Sequence, residues 1–265
     1  MKNIIKVAVV QYQIINNKKI SEQKIEKFVN MASAKKVDIV GLPEECLGNA
    51  EKGYYPFEFL SKIAQKYNLM LFGATYYYDD RGKVRNAGYV INRNGNIIIK
   101  QDKIVLTPPA EKAGFVAGKK INIVKTEFGN IALLVCKDSF HRYASWFFDG
   151  LRKSGVDIVL VPSSSIGVSE RSVNLWTDTL KTMSMLFNVF IIAPGTVGLN
   201  ELDGSHAFGN ALILNPQKVV LAQGSSDTEE IIFAEINSND LLKLRSPEAS
   251  RWQPEKVPDF ELVNI

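Results

Sequence analysis

The chain has 265 residues, of which 46% are hydrophobic and 23% charged, with a formal net charge of +4. That balance excludes intrinsic disorder, which needs low hydrophobicity and high net charge, and lysines scattered without a basic stripe or an RNA-binding aromatic motif exclude nucleic acid as an expected partner. No apolar run reaches the roughly 20 residues that a bilayer requires, so no membrane partner is expected; the start, MKNIIKVAVVQYQ, reads as a strand and not a leader, and a soluble cytoplasmic protein is expected.

The elements follow in chain order. Lys6 to Gln13 is a strand. Ile25, Phe28, Val29 and Ala32 recur at helical spacing behind Ser21, an N-cap candidate, with Ile20 and Ile25 positioned as a staple. The β-branched run from Val37 ends at Pro43, which cannot donate to a central ladder, so Glu44 and Glu45 fall just past a strand terminus. Pro56 opens a helix with Phe59, Leu60, Ile63, Ala64 and Tyr67 on its apolar side, and Leu69 to Tyr78 is the next strand. This alternation predicts a parallel sheet with right-handed crossovers.

Hairpins come next: turn signals at Asp79 to Gly82 and Asn92 to Asn96 bound antiparallel strands Val84 to Ile91 and Ile97 to Ile99. Ile131 to Cys136 runs five apolar residues into a thiol and then turns polar at Lys137. A helix over Ser145 to Gly155 and a strand in Val156 to Ser165 repeat the earlier VDIV-proline pattern, which two similar βαβ halves or chance similarity explains equally. A helix from Ser169 to Phe187 carries Leu175, Thr179, Met183 and Leu186 on one side, read as core. VFIIAPG, FGNALILN and IIFAEIN supply further strands. No linker interrupts the chain, so one domain over residues 1–265 is expected, with 246–265 as a tail lying on the surface or on a partner subunit.

Two cysteines are too few for a disulfide scaffold and fit a reducing compartment. Two histidines, without CxxC or HExxH, leave little from which to build a zinc site, and the glycine-rich nucleotide motifs are missing, so neither metal nor cofactor is expected. Cys136 has two readings: a small core hydrophobe, or a nucleophile at the carboxyl end of a strand, where open α/β sheets hold their ligands. The second requires a proton acceptor and positive potential. Glu44 is the candidate acceptor and Lys103, closing KQDK, the candidate cation. The Lys137 side chain points to the opposite face in extended backbone, leaving its N–H as the useful group.

LPEE (Leu42 to Glu45), KQDKIVLTPPAEKAGFVAG (Lys100 to Gly118) and GNIALLVCKDSF (Gly129 to Phe140) together resemble the nitrilase superfamily of carbon-nitrogen hydrolases. The order Glu, Lys, Cys matches, as do Asn188 and FGNALILNP, and the resemblance runs from VAVVQ to IIFAEIN. It implies an α/β four-layer αββα sandwich with Glu44 as general base, Lys103 beside the oxyanion, Cys136 as nucleophile and Glu111 as a second carboxylate. Tyr54, Tyr55, Lys137, Asp138, His141 and Ser163 to Ser165 are candidate substrate-lining residues, with a turn-fixing role the alternative for Asp138, a capping or surface role that for His141, and capping of the next turn that for Glu111. Glu45 receives no role and Cys46 a structural one.

Ser139 to Arg142 replace the Arg-Phe-Pro-Glu that often follows Cys-x-Asp in the family, and FVAG lacks its usual proline. Cys-Lys-Asp is similar to the amidase and carbamoylase branches, whereas nitrilases commonly carry tryptophan and glutamate there. The resemblance therefore implies hydrolysis of a small linear amide or N-carbamoyl compound by a homodimer or higher homo-oligomer. An acyltransferase, a nitrilase and a non-catalytic binding protein of the same fold stay open.

Overall fold

In the computed structural model, which describes residues 1–167 and 170–246, the alternation of the first strand already sets out the layers. Along β1 (Ile4–Tyr12), Ala8, Val10 and Tyr12 face one apolar cluster while Ile5, Val7 and Val9 face another, as the two-residue period of a strand dictates. The remaining elements are α1 (Lys18–Ala34), β2 (Ile39–Gly41), α2 (Pro56–Tyr67), β3 (Met70–Tyr78), β4 (Val84–Ile91), β5 (Ile97–Asp102), α3 (Pro108–Lys112), β6 (Ile123–Thr126) and β7 (Gly129–Leu133). After a short 3-10 turn at Cys136–Ser139 come α4 (Ala144–Lys153), β8 (Ile158–Leu160), α5 (Glu170–Leu186), β9 (Phe190–Ala193), β10 (Gly195–Leu199) and β11 (His206–Phe208). The described chain closes with β12 (Leu212–Leu214), β13 (Val220–Gln223), β14 (Glu230–Asn237) and α6 (Asn239–Leu244).

Two sheets result. One runs β11-β10-β1-β2-β3-β4-β5 with β14 also paired to β1; the other runs β13-β12-β9-β8-β7-β6. Each holds a parallel triplet, β1-β2-β3 and β7-β8-β9. Antiparallel neighbours flank each triplet, β14 and β4 in the first sheet, β6 and β12 in the second, and β10 joins β1 in parallel beside β14. The VDIV repeats supply the two middle strands, as the suggestion of similar halves requires.

Ile5, Val7, Phe72 and Val90 meet Ile131, Leu133, Ile158 and Ile192 between the sheets. Ile25, Phe28, Phe57, Leu60 and Ile63 pack α1 and α2 on the outside of the first sheet, while Phe148, Leu151, Trp176 and Leu180 pack α4 and α5 on the outside of the second. The architecture is thus an αββα sandwich. Each fully buried large apolar side chain contributes about 1.5–3 kcal/mol, so Phe57→Ala alone would weaken the α2 layer substantially. Gly88 sets the spacing between sheets near the strand ends, since a Cβ there would lie 2.2 Å from Leu133 Cδ2.

Several local expectations are corrected. Asn17, not Ser21, caps α1, accepting the Ile20 N–H at 3.1 Å. Ser21 lies in the first turn, bonded to the Ile15 carbonyl, and Ile20 is exposed, so the staple is missing. β5 extends through Asp102, and FGNALILN breaks into β11 and β12 around Gly209 and Asn210, both at positive φ. On α5 the buried apolar side chains are Trp176 and Leu180, with Met183 packed against the same cluster as expected, whereas Leu175 and Leu186 are exposed. Among the described residues, no helix is long and apolar enough to cross a membrane. Ser169 and the tail beyond Ser246 lie outside the described residues.

Candidate active site

Three loops leaving the carboxyl ends of β2, β5 and β7 converge. Beyond β2, Leu42 still pairs its N–H with the Phe72 carbonyl; Pro43 ends the ladder, and the Glu44 N–H reaches the Ser163 carbonyl on the opposite sheet at 3.4 Å. Both Glu44 oxygens are consumed: Oε1 accepts from Lys103 Nζ at 2.6 Å and Asn86 Nδ2 at 2.7 Å, and Oε2 from the Ser164 N–H at 3.1 Å and Ser164 Oγ at 2.9 Å. Glu44 is 1% and Lys103 4% exposed. Burial by itself would raise the Glu44 carboxyl, but the Lys103 charge and the hydrogen bonds from Lys103 and Asn86 overcome it, holding the group below its ordinary pKa. Lys103 moves the other way: burial would strip its proton, and the Glu44 charge with its hydrogen bond keeps it on.

Past β7 the chain keeps bonding to its neighbour, the Cys136 N–H reaching the Pro162 carbonyl at 2.9 Å. It then turns at Cys136 itself, whose φ of 48° is a left-handed conformation that costs a residue with a Cβ about 1–3 kcal/mol. The turn carries the sulfur off the strand to a half-buried position beside Glu44. Burial and the Glu44 charge push its thiol up to about 12, against Lys103 and the Ser164 N–H, which pull it down. The resting sulfur is therefore a thiol, because a neighbouring carboxylate and desolvation together outweigh one ammonium.

Asp138 is wholly buried and accepts the N–H groups of Val105 at 2.6 Å, Val135 at 3.2 Å and Ile104 at 3.3 Å. It ties the Cys136 turn to the residues just after Lys103, the turn-fixing alternative raised from sequence. Burial raises its carboxyl to about 6, with the N–H of Val105 and the charge of Lys103 opposing. Lys137 directs its ammonium to the Leu106 carbonyl at 3.4 Å.

The other expected residues divide. Ser163 is buried and bonded to the Val161 carbonyl, contributing its own carbonyl to Glu44. Its neighbour Ser164 does the larger job. His141 is half-buried between the rings of Tyr143 and Phe147, its Nδ1 accepting the Tyr143 N–H, and burial with the Lys137 charge lowers its pKa. Tyr54 turns to α1 instead, bonding Glu22 at 2.6 Å, because the helix offers its hydroxyl a carboxylate. Tyr55 is exposed. Glu111 stands exposed on α3, without an ion pair to Lys103, because that short helix presents it to water.

Sequence reasoning passed over Asn86, a polar residue inside the apolar run of β4, and it passed over Glu45. Glu45 has φ 61° and is buried, with Oε1 accepting from the Tyr76 hydroxyl and Oε2 from Asn200 Nδ2 at 2.7 Å. Burial and the Glu44 charge raise its carboxyl to about 7. Among the described residues, no group of three His, Cys, Asp or Glu side chains is arranged to hold a metal ion. The arrangement can transfer a proton from sulfur to carboxylate beside a fixed positive charge.

The sequence profile of the carbon-nitrogen hydrolases matches residues 6–246. The omega-amidase NIT2 of Xenopus tropicalis is 24% identical over 264 residues, 91% of each chain. A probable hydrolase, YhcX of Bacillus subtilis, is 27% identical over 154 residues, which span 51% of this chain but only 30% of that protein. The solved structure of Nit3 from Saccharomyces cerevisiae, a member of branch 10 of the nitrilase superfamily, shares the fold with a TM-score of 0.82 at 21% identity, covering 96% of this chain and 97% of that one.

Proposed function

The chain belongs to the carbon-nitrogen hydrolase family, within the nitrilase superfamily, and from that premise we propose that it hydrolyses a small linear amide or N-carbamoyl compound through a thioester on Cys136, releasing ammonia. One observation carries the reading: the buried Glu44 carboxylate that holds Lys103 at 2.6 Å also raises the Cys136 thiol. A packing cysteine has no use for a charged pair at its sulfur.

With the thiol protonated at rest, Glu44 takes the proton as sulfur closes on the amide carbon. A C–S bond forms and the carbonyl electron pair moves onto oxygen. The oxyanion rests against the Lys103 ammonium and the Lys137 N–H at the start of the 3-10 turn, each such donor being worth about 3 kcal/mol in comparable sites. Glu44 then returns its proton to the leaving nitrogen as the C–N bond breaks, and ammonia departs. Water attacks the thioester while Glu44 accepts its proton; the C–S bond breaks, sulfur recovers the proton, and the acid leaves. Asn86 and Ser164 keep the carboxylate aimed throughout. Glu111 has no step.

The test is intact-mass detection of an acyl adduct across a panel of amides, with ammonia assayed in parallel. Adduct mass on Cys136 and ammonia release are expected, both lost in Cys136→Ala. Ammonia release that survives Cys136→Ala would overturn the proposal.

A further inference from the structure

Glu45 is a buried titratable group to which this mechanism gives no work. Around Cys136 three carboxyls are withdrawn from water, Glu44, Glu45 and Asp138, against one equally buried ammonium, Lys103. Lys103 is committed to Glu44, and Asp138 is compensated by three backbone N–H groups. Glu45 receives only the neutral donors of Tyr76 and Asn200, and among the described residues it has no ion pair. Lys137, the nearest other cation in sequence to the sulfur, is turned to the Leu106 carbonyl. A buried carboxylate without a counter-charge is costly, and here its backbone is additionally held at positive φ to turn it inward.

Glu45 follows Glu44 directly in the chain, and its carboxyl lies within reach of the Glu44 and Lys103 charges. Tyr76, which donates to it, is only half-buried, lies within reach of the Glu44 charge, and offers its ring edge-on to Phe115 at 4.9 Å.

We propose that Glu45 is a specificity-determining carboxylate, forming with Tyr76 and Asn200 an anionic subsite that takes amides bearing an ammonium or amidinium group and disfavours those bearing a carboxylate. The inference rests on the amide-hydrolase reading and adds to it the charge on the substrate's far end. A cationic substrate supplies the missing counter-charge when it expels water; an anionic one meets an uncompensated carboxylate where solvent screens little.

The experiment compares kcat/KM for ammonia release by the full chain at about pH 8 from β-alaninamide, propanamide and succinamate, which present a cation, no charge and an anion. The expected order is β-alaninamide, then propanamide, then succinamate, with the cationic amide ahead of the neutral one by about tenfold. In Glu45→Gln that ratio falls towards one. Should the variant fail to fold, the wild-type order decides alone, together with inhibition by propylammonium against propionate. Ammonia from propanamide without a cation advantage overturns the subsite and leaves the hydrolase intact. No ammonia from any of the three, with no adduct on Cys136, overturns the hydrolase reading and this one with it.

Discussion

Lys103 Nζ meets Glu44 Oε1 at 2.6 Å with side chains only 5% and 2% exposed. A pair so enclosed is sensitive to the loss of one member, because the survivor stays buried without compensation. Lys103→Ala is therefore expected to cost about 3–5 kcal/mol in denaturant unfolding and to abolish turnover. The double variant Glu44→Gln with Lys103→Met, which leaves no charge behind, is expected to be more stable than Lys103→Ala. The reverse order would show that the pair is not what the fold depends on there.

Cys136 trades stability for position. At φ 48° a residue with a Cβ is strained, so Cys136→Gly is expected to unfold at higher denaturant than Cys136→Ala, by about 1 kcal/mol. Both variants lack the sulfur and should form no acyl adduct. Equal unfolding midpoints would mean that the turn is relaxed in solution.

The Glu44 charge has an effect on sulfur opposite in sign to its role as a base. It raises the thiol, so iodoacetamide should label wild-type Cys136 slowly at about pH 8 and faster only towards the thiol's pKa of about 12. Glu44→Gln removes the anion and leaves Lys103 less opposed, which acidifies the thiol. Labelling of Cys136, mapped by peptide mass to separate it from Cys46, should accelerate while amide turnover disappears. A variant that labels no faster than wild type would contradict the electrostatic account.

The three loop-borne groups were readable from sequence because each follows a recognisable strand and a punctuating residue: Pro43 before Glu44, the KQDK switch at Lys103, the polar turn after Cys136. The inward turn of Glu45 was not readable. In LPEE the two carboxylates are chemically identical, and only the positive φ of Glu45, with Tyr76 and Asn200 far away in sequence, decides that both leave water. The face of α5 escaped for a related reason. Leu175 and Leu186 fit the helical period with Met183 as well as Trp176 and Leu180 do, and the choice that keeps Met183 and leaves the two leucines in water belongs to the sheet beneath. The resemblance implied a place for Glu111 at the site, but a helix as short as α3 does not fix which way that side chain faces.

Asp138 is expected to act by positioning. Replacing it with Asn leaves one acceptor oxygen for N–H groups that now share two, so Asp138→Asn should lose about 1–3 kcal/mol on unfolding. Because Ile104 and Val105 follow Lys103 directly, the same variant should lower kcat more than it raises KM, and Asp138→Glu should not rescue it, since the longer stem cannot fit the enclosed turn. Unchanged kcat in a folded variant would confine Asp138 to stability.

The Glu45 carboxyl gives a pH signature independent of activity. Its folded pKa of about 7 lies above the ordinary 4.5, so between those values the folded chain binds more protons than the unfolded one. Stability contributed by the protonated form is present at the acid end and is lost as pH rises through about 7. Glu45→Gln cannot titrate, and whatever constant offset it brings cancels in the slope. The unfolding free energy of wild type relative to Glu45→Gln should fall between about pH 5 and about pH 8, by an amount on the order of 1–3 kcal/mol. Asp138 and His141 titrate nearby but are common to both proteins and drop out of the difference. A pH-independent difference would mean that Glu45 ionises in the folded chain as it does in water, and that it is not enclosed.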